Sequence, residues 1–213
     1  MHKSFAVLGL GRFGRSIAME LYNLGADVMV IDNNDEKLNR VSGMVTCAIN
    51  MDVCDPDALE NAGISNMDAV IVAMAEDIEA SIMSIITAKS LGVPRVIVKA
   101  RDKISGKIYD KIGADKVVFP EKESGKRLSR MLMSDNFLDY FELSKTVGLY
   151  EKLPNPEWVG KSLRELNLRK EYDINVIAMK DNDDIQVVLD PDAPLLPDKP
   201  LLIISHKSNK KIL

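Results

Sequence analysis

The 213 residues carry a formal charge of −4, and 46% of them are apolar, which is the balance of an ordinary folded protein. An acidic chain gives no electrostatic reason to bind nucleic acid, so we expect no nucleic-acid partner. No apolar run approaches the ~18–20 residues that cross a bilayer, and the first residues leave no room for a signal peptide. The two cysteines, Cys47 and Cys54, suit neither a disulfide framework nor a common metal site. We therefore expect a cytoplasmic protein.

Strand and helix patterns alternate over residues 1–135. The apolar segments that predict strands are, in chain order, 5–8, 28–31, 45–50, 69–73, 96–98 and 117–119. The helical patterns between and after them cover 12–24, 34–41, 57–61, 78–91, a segment near 107, and 122–133. Continuous apolar strands separated by helices are typical of a parallel sheet covered on both faces. The prediction is a Rossmann-type α/β fold with a doubly wound parallel sheet.

The pattern changes after residue 136. Strand-like segments now follow one another closely, at 139–143, 148–153, 174–180, 185–189 and 201–205, with one helix near 162–166. Prolines separate them, as in the loops of a small antiparallel unit. We therefore predict a nucleotide-binding domain over residues 1–135 and a small α+β domain over residues 136–213, with the boundary in the interval 134–146.

A glycine-rich turn, GLGRFG at residues 9–14, follows the first predicted strand and opens the first predicted helix. In this context Gly9 permits the tight turn, Gly11 lets phosphates approach the backbone, and Gly14 lets the helix pack close to the sheet. The helix N-terminus adds unpaired N–H groups and a partial positive charge. The turn predicts a phosphate-binding site; the alternative is that the glycines only shape a turn.

Asp32 lies eighteen residues beyond Gly14, at the end of the second predicted strand. A carboxylate at this position is placed to accept hydrogen bonds from both ribose hydroxyls of an adenosine. It would repel a 2′-phosphate, and Asn33 and Asn34 supply no arginine to hold one, so NADP is disfavoured. The alternative for Asp32 is a helix cap.

Two polar residues bear on which nucleotide binds. Arg12 stands in the phosphate turn, where a guanidinium can contact phosphate oxygens bidentately, so it favours ATP or ADP over NAD; the alternative is a solvated arginine. Asp52 follows the third strand and is placed to accept from the adenine amino group. A turn or cap aspartate is the alternative there.

Lys99 and Glu121 follow the fifth and sixth strands, at the carboxyl edge where ligands of such sheets bind. A carboxylate beside phosphates is tolerated when a divalent cation bridges them, so Glu121 is a candidate ligand for Mg²⁺ or Ca²⁺. An acid favoured by the helix dipole is the alternative. The predicted cofactor site also includes flanking residues: Phe13, Asn33, Asn34, Met51, Ala73, Met74, Ala75, Ala100 and Arg101.

No second residue for catalysis accompanies this site. Hydride transfer needs a proton donor or acceptor near the nicotinamide, and the only histidines are His2 and His206. We therefore predict a nucleotide-sensing binding protein with no catalytic residue. A soluble NAD-dependent oxidoreductase or redox sensor that uses the same cleft remains the alternative. In the helix at 78–91, the isoleucines at 78, 82, 85 and 86 form a stripe that predicts its core-facing side.

With these motifs the chain resembles the cytosolic regulatory subunits of bacterial potassium uptake systems, the KtrA and TrkA family, built from an RCK (TrkA-N) lobe and a TrkA-C lobe. The segments at 9–14, 98–100, 112–115 and 120–122 resemble the N-lobe, and those at 159–163 and 166–169 resemble the opening of the C-lobe. The resemblance covers essentially the whole chain. The single glycine fingerprint is closer to KtrA than to the doubled TrkA type.

The resemblance implies a homo-oligomer, with dimers assembling into an octameric ring docked on a membrane potassium-transporting subunit of the KtrB or TrkH kind, at the inner face of the membrane. ATP would favour the conducting ring and ADP the resting one, and NAD(H) could also occupy the cleft. The resemblance assigns Arg12 to the phosphates, Asp32 to the ribose and Glu121 to a cation near the terminal phosphates.

The resemblance further implies a second effector. The C-lobe of related proteins can bind cyclic di-AMP at a dimer interface, and Arg169 and Asn175 match the phosphate and base contacts of that site. Two positions depart from the family pattern: Arg164 replaces an apolar residue, and Asp173 replaces a common glycine.

Overall fold

The computed structural model describes residues 3–132, 137–182 and 184–209. The chain divides into two compact units, residues 1–120 and residues 121–213. Each unit has its own sheet and its own buried hydrophobic residues.

Within the described part of the first unit, strands and helices alternate. The strands are β1 (Ser4–Leu8), β2 (Asp27–Asp32), β3 (Cys47–Asn50), β4 (Ala69–Val72), β5 (Val96–Lys99) and β6 (Lys116–Val118). The helices are α1 (Arg12–Asn23), α2 (Asp35–Asn39), α3 (Pro56–Asn61), α4 (Ile78–Ser90) and α5 (Lys103–Lys111). All strand pairs are parallel, in the order β3-β2-β1-β4-β5-β6. The predicted doubly wound Rossmann-type sheet is confirmed.

The central strand β1 is buried on both faces. Ala6 and Leu8 belong to one hydrophobic cluster, whereas Val7 belongs to a second cluster on the other face. Val7 lies in register between Val30 of β2 and Ile71 of β4. Burial on both faces explains why the central strands are continuous apolar runs and do not alternate with polar residues.

The strand order also positions the candidate site. The chain leaves β1 toward β2 on one side and later returns to form β4 on the other side of β1. Ligands of open parallel sheets bind in the crevice at the carboxyl ends of the strands, where the strand order reverses. The segments that follow β1, β2 and β4 therefore meet at this crevice.

Helix α4 differs from its predicted packing. Ile85 is fully buried and Ile82 packs against the core, but Ile78 and Ile86 are 36% and 44% exposed. The prediction that all four isoleucines face the core is wrong for Ile78 and Ile86. The buried side of the helix consists mostly of small residues: Ala80, Ser81, Ser84, Thr87 and Ala88. These small side chains share the buried face with Ile85, whereas Ile78 and Ile86 remain exposed.

The second unit follows from α6 (Pro120–Leu132), whose first residue closes the first unit. Its described strands are β7 (Phe137–Glu142), β8 (Val147–Lys152), β9 (Ile174–Asp181), β10 (Asp184–Gln186) and β11 (Leu201–His206), and its short helices are α7 (Leu163–Leu166) and α8 (Leu168–Tyr172). The strands form one antiparallel sheet in the order β10-β9-β11-β8-β7. The predicted small α+β unit is confirmed.

The core of the second unit is organised around Trp158, which is fully buried. The indole packs edge-on against Tyr172, with ring centroids 5.2 Å apart. Lys152 is also buried, at 1% exposure; its ammonium donates to Asn155 Oδ1 at 2.9 Å and lies 5.6 Å from the Trp158 ring centroid. Burial lowers the pKa of Lys152 from its ordinary value, because an apolar environment disfavours the charged ammonium.

Two elements of the second unit differ from prediction. The strand expected at 185–189 ends at Gln186, and Val187 and Val188 are 69% and 86% exposed. Apolar residues continue past the paired segment, so the sequence pattern overestimates the strand. Helix α8 was not predicted, since it is only five residues long and directly follows α7.

The domain boundary at 135/136 stays a prediction. Residues 133–136 lie outside the described residues, and helix α6 belongs by its contacts to the second unit. None of the described helices is long and apolar enough to cross a membrane.

Candidate functional site

The glycine-rich turn joins β1 to α1, and its glycines serve different purposes. Gly9 has a φ of +91°, and a Cβ on it would stand 2.4 Å from Cγ of Met74. A Cβ on Gly14 would stand 2.0 Å from the carbonyl oxygen of Gly9. Gly11, in contrast, has an ordinary φ of −65°, and no described atom lies within 4 Å of the position that a Cβ would take. The fold itself requires Gly9 and Gly14, whereas Gly11 keeps open the space in front of the helix.

The N-terminus of α1 has no side-chain cap. Gly11 occupies the N-cap position, and the first turn contains no acidic residue. The other helices of the first unit are capped by side chains that accept from backbone N–H groups: Asn34 for α2, Asp55 for α3, Asp77 for α4 and Asp102 for α5. An uncapped helix start combines unpaired N–H groups with the positive end of the helix dipole. This arrangement suits an anion such as a phosphate.

Asp32 lies at the end of β2 and is 5% exposed. Its Oδ2 accepts from the N–H of Leu10 at 2.7 Å, and its Oδ1 accepts from the N–H of Asn34 at 3.0 Å. The alternative interpretation of Asp32 as a helix cap is wrong, because Asn34 caps α2 by accepting from the N–H of Lys37 at 3.1 Å. Through its contact with Leu10, Asp32 links the glycine-rich turn to β2 at the carboxyl end of the sheet.

Lys37 was missed by the sequence reasoning. Its ammonium lies 3.2 Å from Oδ1 and 3.1 Å from Oδ2 of Asp32. Asn33 and Asn34 directly follow β2 and carry no positive charge, whereas Lys37 lies further along the chain. A lysine in the first turn of the following helix, five residues after the acid, was the signal that could have found it.

Two cations lie at the same edge of the sheet. Arg12 is the first residue of α1; it is exposed and has no carboxylate partner within the described residues. Lys99, the last residue of β5, places its ammonium 5.7 Å from the ring centroid of Phe13, within the range of a cation–π contact. The sheet topology therefore places Arg12, Phe13 and Lys99 at one edge, and phosphate binding there stays a prediction.

The segments after β4 and β5 form the neighbouring part of this edge. Ala73 is buried, and its N–H donates to the carbonyl of Leu8 at 2.8 Å, which holds the residues after β4 beside the turn. The N–H of Ala100 donates to the carbonyl of Val118 at 2.9 Å. Nη1 of Arg101, after β5, lies 3.7 Å from Oε2 of Glu76, which follows β4. Ala75 and Ala100 are buried, so a contact of either residue with a ligand stays a prediction.

Asp52 forms a turn, which is the alternative to a contact with adenine. Its Oδ1 accepts from the N–H of Cys54 at 2.9 Å, which makes it the first residue of an Asx turn. Burial, followed by the nearby Asp52 charge, raises the pKa of the Cys54 thiol. Of the neighbouring predicted contacts, Met51 is half-buried and Asn33 is exposed. A contact of Asp52 with adenine stays a prediction.

Glu121 is the second residue of α6 and is exposed. An acid in the first helical turn is stabilised by the helix dipole, so its alternative role fits the fold. Within the described ranges, no three His, Cys, Asp or Glu side chains converge on a metal position. Glu121 as a cation ligand stays a prediction that depends on phosphate oxygens to complete the coordination.

In the second unit the two predicted effector residues contact each other. Nε of Arg169 donates to Oδ1 of Asn175 at 2.6 Å, and both side chains are exposed. The two departures from the family pattern also have physical accounts. Arg164 forms a two-pronged ion pair with Asp192, at 2.5 and 3.1 Å. Asp173 adopts a left-handed φ of +54°, the conformation for which glycine is best suited.

Comparison with known proteins agrees with this geometry. The TrkA-N domain model matches residues 5–120, and the TrkA-C domain model matches residues 149–210. The solved structure of the GsuK channel bound to NAD superposes with a TM-score of 0.68 at 15% identity, covering 98% of this chain and 38% of that one. At this identity the likeness shows the fold.

Curated relatives extend the match along the chain. The chain is 42% identical over 180 residues to the Ktr system potassium uptake protein C of Bacillus subtilis (strain 168), covering 84% of this chain and 81% of the relative. It is 35% identical over 210 residues to the Ktr system potassium uptake protein A of the same organism, covering 99% and 95%. The chain therefore belongs to the KtrA and TrkA family of potassium uptake proteins, with a TrkA-N domain followed by a TrkA-C domain.

Proposed function

We propose that this chain is the nucleotide-sensing regulatory subunit of a bacterial potassium uptake system. One observation carries the proposal: the uncapped N-terminus of α1 stands behind a glycine-rich turn that is fastened to the buried carboxylate of Asp32. This pair offers a phosphate site and a ribose acceptor in one crevice. Its relatives are potassium uptake proteins, and from them we infer the physiological role.

The ligand of the crevice is ATP or ADP, and NAD(H) is a weaker alternative. Arg12 is exposed at the phosphate turn and Lys99 lies at the same edge, so a longer phosphate chain gains more attraction. ATP differs from ADP by its γ-phosphate and the cation that accompanies it. Glu121 is the carboxylate that we assign to that Mg²⁺ or Ca²⁺. The GsuK channel bound to NAD shares this fold, which supports NAD as a further occupant.

The role is regulatory and not catalytic. His206, the one histidine within the described residues, is the last residue of β11 in the second unit. The described part of the first unit, residues 3–120, thus supplies ligand contacts without a histidine for proton transfer. The rival function is an NAD-dependent oxidoreductase, and it requires turnover of NADH.

The physiological partners are copies of this chain and a membrane transporter. We propose dimers that assemble into an octameric ring on the cytoplasmic side of a KtrB-like or TrkH-like subunit. Leu128 and Leu132 of α6 are 56% and 78% exposed, which provides apolar surface for subunit contacts. The ATP-bound and ADP-bound rings differ in shape, because a ligand shifts an assembly only through its different affinity for the two forms.

The test is calorimetry of the full chain with ATP, ADP and NAD, with and without Mg²⁺ or Ca²⁺, alongside native mass spectrometry and small-angle scattering. We expect ATP and ADP to compete for one site per chain and the two scattering profiles to differ. Glu121→Gln is expected to remove the cation effect on ATP affinity and to leave ADP affinity nearly unchanged. Turnover of NADH by the wild type, or superimposed scattering profiles, would overturn the regulatory proposal.

A second effector is proposed for the second unit. The observation that favours it is the exposed Arg169–Asn175 pair, a guanidinium and an amide held side by side at 2.6 Å. A guanidinium suits a phosphate and an amide suits a base edge, which fits cyclic di-AMP. Calorimetry with cyclic di-AMP tests this: Arg169→Ala is expected to abolish binding, whereas Arg164→Ala, which removes an arginine paired with Asp192, is expected to retain it.

A further inference from the structure

The carboxylate of Asp32, which the proposed site uses for the ribose, is already saturated. Oδ2 accepts from the N–H of Leu10 at 2.7 Å and from the ammonium of Lys37 at 3.1 Å. Oδ1 accepts from the N–H of Asn34 at 3.0 Å and from the same ammonium at 3.2 Å. A carboxylate offers about four acceptor positions, and these four contacts use them. Two ribose hydroxyls therefore find no vacant acceptor at Asp32.

The partners of Asp32 differ in how readily they move. The N–H groups of Leu10 and Asn34 belong to the phosphate turn and to the start of α2, so their removal would disrupt the backbone. Lys37 reaches the carboxylate through a flexible side chain that is 44% exposed. An incoming ligand can displace only the ammonium without a change of fold.

We propose that Lys37 is an internal competitor for the ribose site, so that an adenine nucleotide binds by exchanging its ribose hydroxyls for the Lys37 ammonium at Asp32. This inference rests on the proposed nucleotide site. Without a ligand, Lys37 compensates a 5% exposed carboxylate, which is costly to leave unpaired. With a ligand, the hydroxyls take over its hydrogen bonds and the ammonium returns to solvent.

The exchange makes Lys37 a determinant of specificity toward the sugar. A nucleotide with both hydroxyls replaces the ammonium contacts, whereas a 2′,3′-dideoxy nucleotide has nothing to offer Asp32 and leaves the ion pair in place. Removal of Lys37 should therefore raise the affinity for ADP and leave the affinity for 2′,3′-dideoxy-ADP nearly unchanged. A lysine with a purely structural role would not separate these two ligands.

The test is calorimetric titration of the full chain with ADP and with 2′,3′-dideoxy-ADP. Lys37→Met removes the competitor, and Lys37→Gln removes only its charge. Arg40→Met is the matched control, since it makes the same charge change in the residue that follows α2, where Arg40 pairs with Glu36 at 3.9 Å. We expect Lys37→Met to bind ADP up to about fivefold more tightly than wild type, the range of a partly exposed ion pair. Lys37→Gln should shift in the same direction, and dideoxy-ADP should change no more than in Arg40→Met.

Each outcome decides the matter. If the wild type binds ADP and neither Lys37 variant binds it more tightly, the competitor role is overturned while the nucleotide site stands. If Lys37→Met binds ADP but the wild type does not, competition is supported in its strongest form. If neither chain binds any adenine nucleotide, the proposed function fails and the competitor role fails with it. Circular dichroism of each variant checks that the fold is retained, and Lys37→Gln serves where Lys37→Met unfolds.

Discussion

Gly14 packs directly against the carbonyl oxygen of Gly9, so closely that a Cβ on Gly14 would stand 2.0 Å from that oxygen. The contact joins the first turn of α1 to the end of β1. Gly9 itself has a φ of +91°, and Met74 closes its other side. The glycines at 9 and 14 thus set the distance between helix and strand, and the helix N-terminus points at the crevice as a consequence.

Gly14→Ala is expected to lower the stability of the chain by about 2–3 kcal/mol, because an added methyl group must displace backbone and not a flexible side chain. Gly11→Ala is the matched control: its φ of −65° suits alanine, and no described atom lies within 4 Å of the new Cβ. It should change stability by less than about 1 kcal/mol and still weaken ADP binding. Urea unfolding and calorimetry measure the two effects. Equal stability of the two variants would contradict this account.

Asp32→Ala is expected to reduce both ligand affinity and stability. The N–H of Leu10 lies in the turn and loses its acceptor, at a cost of about 1–3 kcal/mol in the free energy of unfolding. Loss of a charged acceptor for the ribose hydroxyls should weaken ATP and ADP by a similar ~1–3 kcal/mol. Asp27→Ala, at the exposed opposite end of the same strand, is the control and should leave both quantities unchanged. Unaltered ADP affinity in Asp32→Ala would remove Asp32 from the site.

The sequence was sufficient to predict the fold and the glycine-rich turn between β1 and α1. The glycine spacing and Asp32 could be predicted because both follow from the backbone of a strand–turn–helix unit, which local sequence determines. For Lys37 the sequence offers only a lysine five residues after Asp32, and the contact itself depends on how α2 turns after β2. Asp52 shows the same limit: the Asx turn with Cys54 is a choice between two short-range partners that the residue types alone leave open.

Helix α4 shows why packing is harder to predict than element type. Four isoleucines at helical spacing outweigh alanine and serine in any hydrophobicity pattern, but Ile78 and Ile86 are the exposed ones. Small residues such as Ser84 occupy much of the buried face in their place. The hydroxyl of Ser84 donates to the carbonyl of Val53 at 3.3 Å, a contact that no periodicity reveals.

Arg12→Ala is expected to weaken ATP more than ADP, and ADP more than AMP. The guanidinium stands at the phosphate turn without a carboxylate partner in the described part of the chain, so its charge is available to the longer phosphate chains. Stability should stay within about 0.5 kcal/mol of wild type, because the side chain is exposed. Arg15→Ala, an exposed arginine in the next part of the same helix, is the control. Equal losses for ATP, ADP and AMP would mean that Arg12 only shapes the turn.

Asp115 provides a test of stability against pH that does not involve the ligand. Its Oδ2 accepts from the ammonium of Lys89 at 2.9 Å and from the N–H of Val96 at 2.6 Å. The hydrogen bond from Lys89, followed by that from Val96, holds the pKa of Asp115 below its usual value of about 3.9. The contacts link the last turn of α4 to the start of β5 and to the residue before β6.

A carboxylate with a lowered pKa in the folded state contributes stability that is fully present above its unfolded pKa and is lost as the pH falls through its folded pKa. Asp115→Asn is therefore expected to destabilise the chain by about 1 kcal/mol at pH 7, a modest value because the side chain is 40% exposed and solvent screens the ion pair. Below a pH of about 4 the difference in free energy of unfolding between wild type and Asp115→Asn should narrow, since the wild-type carboxyl becomes protonated and loses the same interaction. Lys89→Met removes the other partner of the ion pair. It should be less stable than wild type at pH 7, and this difference should also narrow at acid pH. Urea unfolding from pH 3 to pH 7, followed by circular dichroism, measures these differences. A gap that stayed constant across that range would show that Asp115 acts through shape and not through its charge.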